Sequence, residues 1–269
     1  MGFAKIIFKG LPVNYTIHGE GLPLIFLHGF NENLHVWDSI IPTVSKNYKC
    51  ILIDLPGFGK SHLPSNLSIK YMADSVHRVI EDMALEKPIV IGHSMGGYVT
   101  LELVNNFPEL ISGAGLFHST AFADSEEKKE NRLKTLDFLD KNPVDSFFNV
   151  FIQGLFAPQN LKSEFLNTAK AIIEETNKNS VIAGTKAMLE RPDRTEVLKN
   201  SGIPWLLIAG SFDQLVPLDH ITLQASFCNK ALIEILNNSG HMGMIEEPEL
   251  SSEIIVKFAQ WVTLIGGNE

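Results

Sequence analysis

One stretch constrains this chain more than any other: Pro88-Ile89-Val90-Ile91-Gly92-His93-Ser94-Met95-Gly96-Gly97-Tyr98. Pro88 to Ile91 is apolar and β-branched, the composition of a strand buried on both faces. From Met95 onward, apolar or small residues recur at helical spacing through Val99, Leu101, Leu103 and Val104. Between them lies Gly92-x-Ser94-x-Gly96. That spacing puts a serine at the tip of a sharp strand-to-helix turn, with glycines on either side where the backbone must approach itself. The hydroxyl then stands exposed above the sheet, and the next backbone N–H points into the same space. A serine nucleophile needs this geometry. A chance match in a glycine-containing loop would lack the strand before it and the helix after it.

The flanking sequence repeats the strand–helix alternation. Phe3 to Phe8 and Val13 to His18 read as an antiparallel pair joined by Lys9-Gly10-Leu11-Pro12. Apolar strands follow at Leu24–Leu27, Cys50–Ile53, Pro88–Ile91 and Ile111–Phe117, the sheet resumes at Pro204–Ile208, and a further strand is read over Ala231–Leu236. Helices are expected over Leu34–Val44, from an N-cap at Ser68 to about Leu85, after Ser94 to about Phe107, from Leu218, and from Pro248 to about Leu264. Such alternation means a mostly parallel sheet covered by helices on both faces, an α/β fold. Between Ser119 and Arg191 no buried strand can be read. Asp124 to Glu130 is a charged helix start with a solvated face. Phe138, Phe147, Phe148, Phe151 and Phe156 cluster in amphipathic stretches after it, and further helices are read over Leu161–Asn177 and Ser180–Leu189. We therefore expect a core of residues 1–118 and 192–269, interrupted by a helical cap over 119–191.

With 269 residues, 45% of them hydrophobic, the chain can bury one sizeable core with an insertion. A net charge of -9 argues against nucleic acid or an anionic membrane as partner. The N-terminal Met1 to Phe8 is too short to be a signal peptide, and no run is long enough to span a bilayer. Cys50 and Cys228 have no spacing motif and read as free buried thiols, and the whole reads as a cytoplasmic protein.

Function in open parallel sheets sits beyond the carboxyl ends of the strands. Ser94, Asp213 and His241 each follow a strand there, in the order that a Ser–Asp–His arrangement on such a sheet requires. A serine hydroxyl needs a base, which a histidine supplies near neutral pH, and a carboxylate holds that histidine in the right tautomer. Asp219 and Asp124 are rivals to Asp213, but Asp219 starts a helix, where it suits the dipole, and Asp124 opens the charged helix. An oxyanion needs two backbone donors. Met95 offers one, and Phe30, after the Leu24–Leu27 strand, the other, with Asn31 as its neighbour. His28 and His93 are expected to hold the two turns through hydrogen bonds. Asn31, His118, Phe147 and Phe151 are candidates for the substrate pocket. No metal ligand set of HExxH or paired-cysteine type is present, and no cofactor is expected.

Together, His28-Gly29, Asp54-Leu55-Pro56-Gly57-Phe58-Gly59-Lys60-Ser61, Gly92-His93-Ser94-Met95-Gly96-Gly97, Asp213 and His241 resemble the α/β-hydrolases that carry a helical cap. The resemblance covers nearly the whole chain outside the cap. It implies an eight-stranded sheet, hydrolysis without a cofactor, and a cap that shapes the pocket. Ala187-Met188-Leu189-Glu190-Arg191-Pro192-Asp193-Arg194 is similar to the corresponding part of small bacterial carboxylesterases and enol-lactonase-like members. Two neighbouring readings fail. Gly59-Lys60-Ser61 ends like a P-loop, but that motif needs a glycine where Asp54 stands. Haloalkane dehalogenases and epoxide hydrolases of this fold use an aspartate nucleophile, whereas the elbow here holds Ser94. The expected activity is hydrolysis of a small-to-medium carboxylic ester, lactone or thioester in an apolar pocket. C–C bond hydrolysis, perhydrolysis, a lyase step, or a ligand receptor on a hydrolase scaffold are the alternatives on the same triad.

Overall fold

A computed structural model describes residues 3–161 and 164–266. Its eight strands are β1 (Phe3–Phe8), β2 (Leu11–His18), β3 (Pro23–Leu27), β4 (Lys49–Ile53), β5 (Ile89–His93), β6 (Gly113–Phe117), β7 (Trp205–Gly210) and β8 (Ala231–Leu236). They form one sheet in the order β1-β2-β4-β3-β5-β6-β7-β8. β2 runs antiparallel to β1 and β4, and every other pairing is parallel. β3, β4, β5 and β7 read as apolar runs because helices cover both their faces, and Phe26, Leu52, Ile91 and Leu207 are wholly buried.

The helices of the core are α1 (Ile41–Val44), α2 (Ile69–Asp82) and α3 (Met95–Asn106) before the excursion between β6 and β7. That excursion holds α4 (Glu126–Lys141), α5 (Val144–Phe151), α6 (Glu164–Ile173), α7 (Lys178–Leu189) and α8 (Thr195–Asn200), and no strand among the described residues. α9 (Leu218–Ala225), α10 (Gly243–Glu246) and α11 (Pro248–Gly266) complete the core. Residues 162 and 163 of the helical stretch read from Leu161, and Met1 and Gly2 of the N-terminal reading, lie outside the described residues.

Several boundaries differ from the sequence expectation. Leu34–Val44 is not one helix but a 3-10 turn over Leu34–Trp37 followed by α1. Pro42 has no N–H to give and sits in the first turn of α1, so the chain restarts there. β6 begins at Gly113, because Pro108–Leu110 forms another 3-10 turn. α2 stops at Asp82, and Ala84 turns out of it at φ 47°. Cys50 is buried, as expected, but Cys228 is only half-buried. Burial pushes the Cys50 thiol up to about 12 and that of Cys228 to about 11, so neither supplies a thiolate near neutral pH.

Ser68 caps α2 by accepting a hydrogen bond from the Tyr71 N–H at 3.0 Å. Ser68→Ala should therefore lower the free energy of unfolding by about 1 kcal/mol, measured by denaturant titration.

Two polar clusters close the neck of the helical excursion. Asp124 is buried between Arg132 and Arg191. Arg194 pairs with Glu102 of α3 at 2.6 Å. Arg191 also lies 3.9 Å from the ring centroid of Tyr98, so both ends of the excursion are fastened to the helix that follows Ser94.

Candidate active site

Ser94 sits between β5 and α3 at φ 48°, a left-handed conformation that is costly for serine. The turn is held by its surroundings. The Ser94 N–H donates to Phe117 O at 3.0 Å, and Ser119 Oγ donates to Ser94 O at 2.7 Å. A Cβ at Gly92 would lie 2.2 Å from Gly96 O, and one at Gly96 would lie 2.4 Å from Leu27 O. Both positions therefore demand glycine. Met95 opens α3, so its N–H has no partner within the helix.

Asp213, in the loop after β7, is fixed at both oxygens. Oδ1 accepts the N–H groups of Leu215 (2.8 Å) and Val216 (3.0 Å). Oδ2 accepts from Nδ1 of His241 at 2.8 Å. The same oxygen accepts from Nδ1 of His118 at 3.1 Å. Burial alone would push this carboxyl up, but His241 and the two ring N–H bonds hold it well below the ordinary carboxylate range. The two rivals are occupied elsewhere. Asp219 is exposed in the first turn of α9, and Asp124 is the buried partner of two arginines rather than a helix opener.

His241, after β8, is 2% exposed. With Nδ1–H committed to Asp213, its basic nitrogen is Nε2, which has no hydrogen-bond partner within the described residues. Its loop is pinned by the N–H of His241 on Leu155 O (2.7 Å) and by Glu246, which accepts from Gly240, Met242 and Ala157. Glu246 thus joins the His241 loop to the helical excursion, and burial raises its carboxyl above the ordinary range despite those bonds.

His118 corrects the sequence expectation. It does not line the pocket. It is wholly buried at φ 49°, accepts the Gly243 N–H at Nε2 (3.3 Å) and donates Nδ1–H to Asp213. Burial holds it down at about 4, so the ring is neutral across the physiological range. His118, Asp213 and His241 bring ligand atoms within 4.8 Å of one another. Both rings point an N–H at the carboxylate, so the three groups form a hydrogen-bonded cluster. Asn31 is a second correction. It is buried at φ 61°, is not among the residues that line the cavity, and its backbone carbonyl accepts from Thr176 Oγ1 at 3.3 Å.

His28 and His93 do hold the two turns. His28 Nδ1 donates to Gly29 O at 2.8 Å, and Nε2 accepts the Leu55 N–H at 2.9 Å. His93 Nδ1 lies 2.9 Å from Glu32 Oε2, and Nε2 lies 2.9 Å from His241 O. Glu32 was missed at the level of sequence, because a lone glutamate in a loop carries no signal of burial. Asp54 likewise serves structure, accepting from Leu34 N, Asn14 Nδ2 and Lys60 N.

A cavity of about 440 Å³ opens above Ser94 and His241. Phe30 and Tyr98 line it from the core, and Phe147, Phe151, Leu155 and Met188 from the helical excursion. The expected apolar walls are only half the surface. Ser125, which caps α4, and Lys128, Asn131, Arg132 and Thr135 of that helix form a polar side, because its charged start looks into the mouth as well as into solvent.

The chain belongs to the alpha/beta hydrolase fold family, whose sequence model matches residues 23–248. Among individual proteins it is 28% identical to the pimeloyl-[acyl-carrier protein] methyl ester esterase of Yersinia enterocolitica, over 91% of this chain and 96% of that protein. It superposes on a thermophilic esterase from Thermogutta terrifontis, solved with malate bound, with a TM-score of 0.91 and 25% identity, over 97% of this chain and 99% of that one. The enol-lactonase of Burkholderia xenovorans LB400 shares the fold at a TM-score of 0.88 and 18% identity, covering 96% of this chain and 100% of that one.

Proposed function

We propose that this protein is a serine ester hydrolase, with Ser94 as nucleophile, His241 as general base and acid, and Asp213 as the carboxylate that orients His241. The observation that carries the reading is the His241 ring. It is held by Asp213 on one nitrogen and left unpartnered on the other, at a cavity whose floor is a strained serine. Ser94 Oγ attacks the ester carbonyl as His241 Nε2 takes its proton. The oxyanion is met by the N–H groups of Met95 and Phe30. Collapse expels the alcohol, protonated by His241, and water then cleaves the acyl-enzyme by the same steps in reverse order of roles. The Ser94 hydroxyl makes no bond to Nε2 in this rotamer, and such bonds often close only when substrate is bound.

Residues 119–191 act as the cap in this reading, and their Phe147, Phe151, Leu155 and Met188 form the acyl slot. The curated relative named above acts on a methyl ester, which fits a small leaving alcohol here as well. No described helix is long and apolar enough to cross a membrane. A cytoplasmic setting is supported by the two unpaired cysteines.

A fluorophosphonate probe should add one mass increment to the intact protein, and peptide mapping should place it on Ser94. An adduct on another residue would overturn the assignment. The substrate class is tested by kcat/KM for p-nitrophenyl esters from acetate to palmitate. Each methylene buried in the slot contributes up to about 0.8 kcal/mol. The values should rise with acyl length, peak while the slot of about 440 Å³ is being filled, and then fall from steric exclusion. A maximum at palmitate would reject this class. A labelled Ser94 without any ester turnover would favour C–C hydrolysis, perhydrolysis, a lyase step or a receptor.

A further inference from the structure

His93 has two nitrogens, one facing a carboxyl oxygen of Glu32 and the other the carbonyl of His241, both at 2.9 Å. With Glu32 ionised, as the ring and the Gly29 N–H favour, both nitrogens donate and the ring is an imidazolium. Its countercharge is Glu32, whose side chain is 3% exposed and whose Oε2 also accepts the Gly29 N–H at 2.7 Å. The three groups joined in this way lie at the ends of three separate strands or in the loops after them. Gly29 precedes Phe30, His93 precedes Ser94, and His241 is the base itself. The seat is closed around the pair, since a Cβ at Gly29 would lie 2.7 Å from His93 Nδ1 and 2.9 Å from Glu32 Oε2.

We infer that Glu32 is a positioning residue of this site, holding through the His93 imidazolium the Phe30 N–H, Ser94 and His241 in one register. The inference rests on the acyl-transfer reading above. Burial works against both charges. Glu32 and its hydrogen bond nevertheless hold the His93 ring above its ordinary range, and His93 and the Gly29 N–H hold Glu32 below its own. The other titratable groups facing His93 are His241, His118 and Asp213, with His28 beyond Glu32. His118 is neutral, and Asp213 is committed to His118 and His241. Glu32 is therefore the one carboxylate in direct contact with the His93 ring among the described residues. A fixed positive charge whose ring centre is 4.9 Å from that of His241 would disfavour the protonated base if it stood alone. The carboxylate cancels that field while leaving the geometry in place.

Glu32→Gln tests the charge and keeps the shape. Glutamine can still accept the Gly29 N–H, but it no longer stabilises the imidazolium. Burial then acts on His93 without its countercharge, so the ring should be neutral at pH 8 and drop one of its two bonds. The expected result is a fall in kcat of about 10²-fold at pH 8, the cost of a displacement on the order of 1 Å at a reacting group, with KM little changed. The sign with pH follows from the proton. Activity of Glu32→Gln should rise as pH is lowered from 8, because the His93 ring regains its second proton. The wild type should have no alkaline limb in that range. A residue needed only for folding would lower the melting temperature without adding that limb. A Glu32→Gln enzyme with kcat within threefold of wild type and a parallel pH profile would overturn the inference.

Should that variant fail to fold, the wild-type protein decides. Long-range ¹H–¹⁵N spectra of its histidines at pH 8 should show both His93 nitrogens protonated. A singly protonated His93 at pH 8 would overturn the inference. Wild-type turnover and probe labelling stand or fall with the esterase reading alone, whereas the His93 spectrum needs no substrate.

Discussion

Ser94→Ala should lower ester turnover by about six orders of magnitude in kcat, the loss seen when a serine-hydrolase nucleophile is removed, and should abolish fluorophosphonate labelling. The reason lies in the elbow. Ser94 is held at φ 48° by bonds through its own backbone N–H and C=O, to Phe117 O and from Ser119 Oγ, and not through its hydroxyl. The side chain therefore carries none of the local structure. Alanine bears the same backbone strain as serine, so the melting temperature should move little while the chemistry disappears. What survives is binding and the oxyanion donors proposed above, Met95 and Phe30; in the serine proteases such remnants still leave about 10³-fold over water. The measurement is single-turnover hydrolysis of the best p-nitrophenyl ester alongside thermal melting. Turnover within tenfold of wild type, or labelling that persists in the variant, would remove Ser94 from the mechanism.

Asp213→Asn should lower kcat by about four orders of magnitude, as the equivalent change does in a serine protease. An amide can present an N–H where Oδ2 now accepts, turning Nδ1 of His241 into an acceptor and placing its proton on Nε2, the wrong tautomer for a base. The effect here has a second part. Oδ2 accepts from both His118 and His241, and an amide cannot accept two ring N–H bonds while also receiving the Leu215 and Val216 N–H groups at Oδ1. Some destabilisation should accompany the kinetic loss. Because the folded carboxyl lies below its ordinary range, it contributes stability above about pH 3.9, lost as pH falls through the lower folded value. Asp213→Asn should remove that part of the acid dependence. Asp219→Asn, on an exposed helix start, should leave kcat within a few-fold. Asp124→Asn should lower stability through Arg132 and Arg191 and spare the chemistry. Near-normal turnover in Asp213→Asn, with collapse in either of the others, would reassign the orienting carboxylate.

Much of this molecule is written in local patterns. The parallel core was legible because β3, β4, β5 and β7 are short apolar runs, and strands buried on both faces read that way. Ser94 and Asp213 could be picked out as candidates because each follows such a strand, and His241 because it follows β8 at the sheet's end; the topology of a parallel sheet gathers those strand ends along one edge. Ser68 was legible as a cap because capping is a contact across three residues. The sequence alone therefore determined the fold class, the loops that meet and the chemistry they offer.

Tertiary structure decided whatever depended on who faces whom across the sheet. Glu32 and His93 are 61 residues apart, and nothing local shows that one is the other's countercharge. His118 looked like a pocket residue because it ends a strand, but its backbone turns it inward onto Asp213, 95 residues away. The α4 face read as solvated became one wall of the cavity because the neck ion pairs of Asp124 hold that helix over Ser94. The physical reason is common to all three. Periodicity and turn chemistry report a residue's relation to its own backbone, whereas burial of a charge is settled by a partner that the fold brings from elsewhere in the chain.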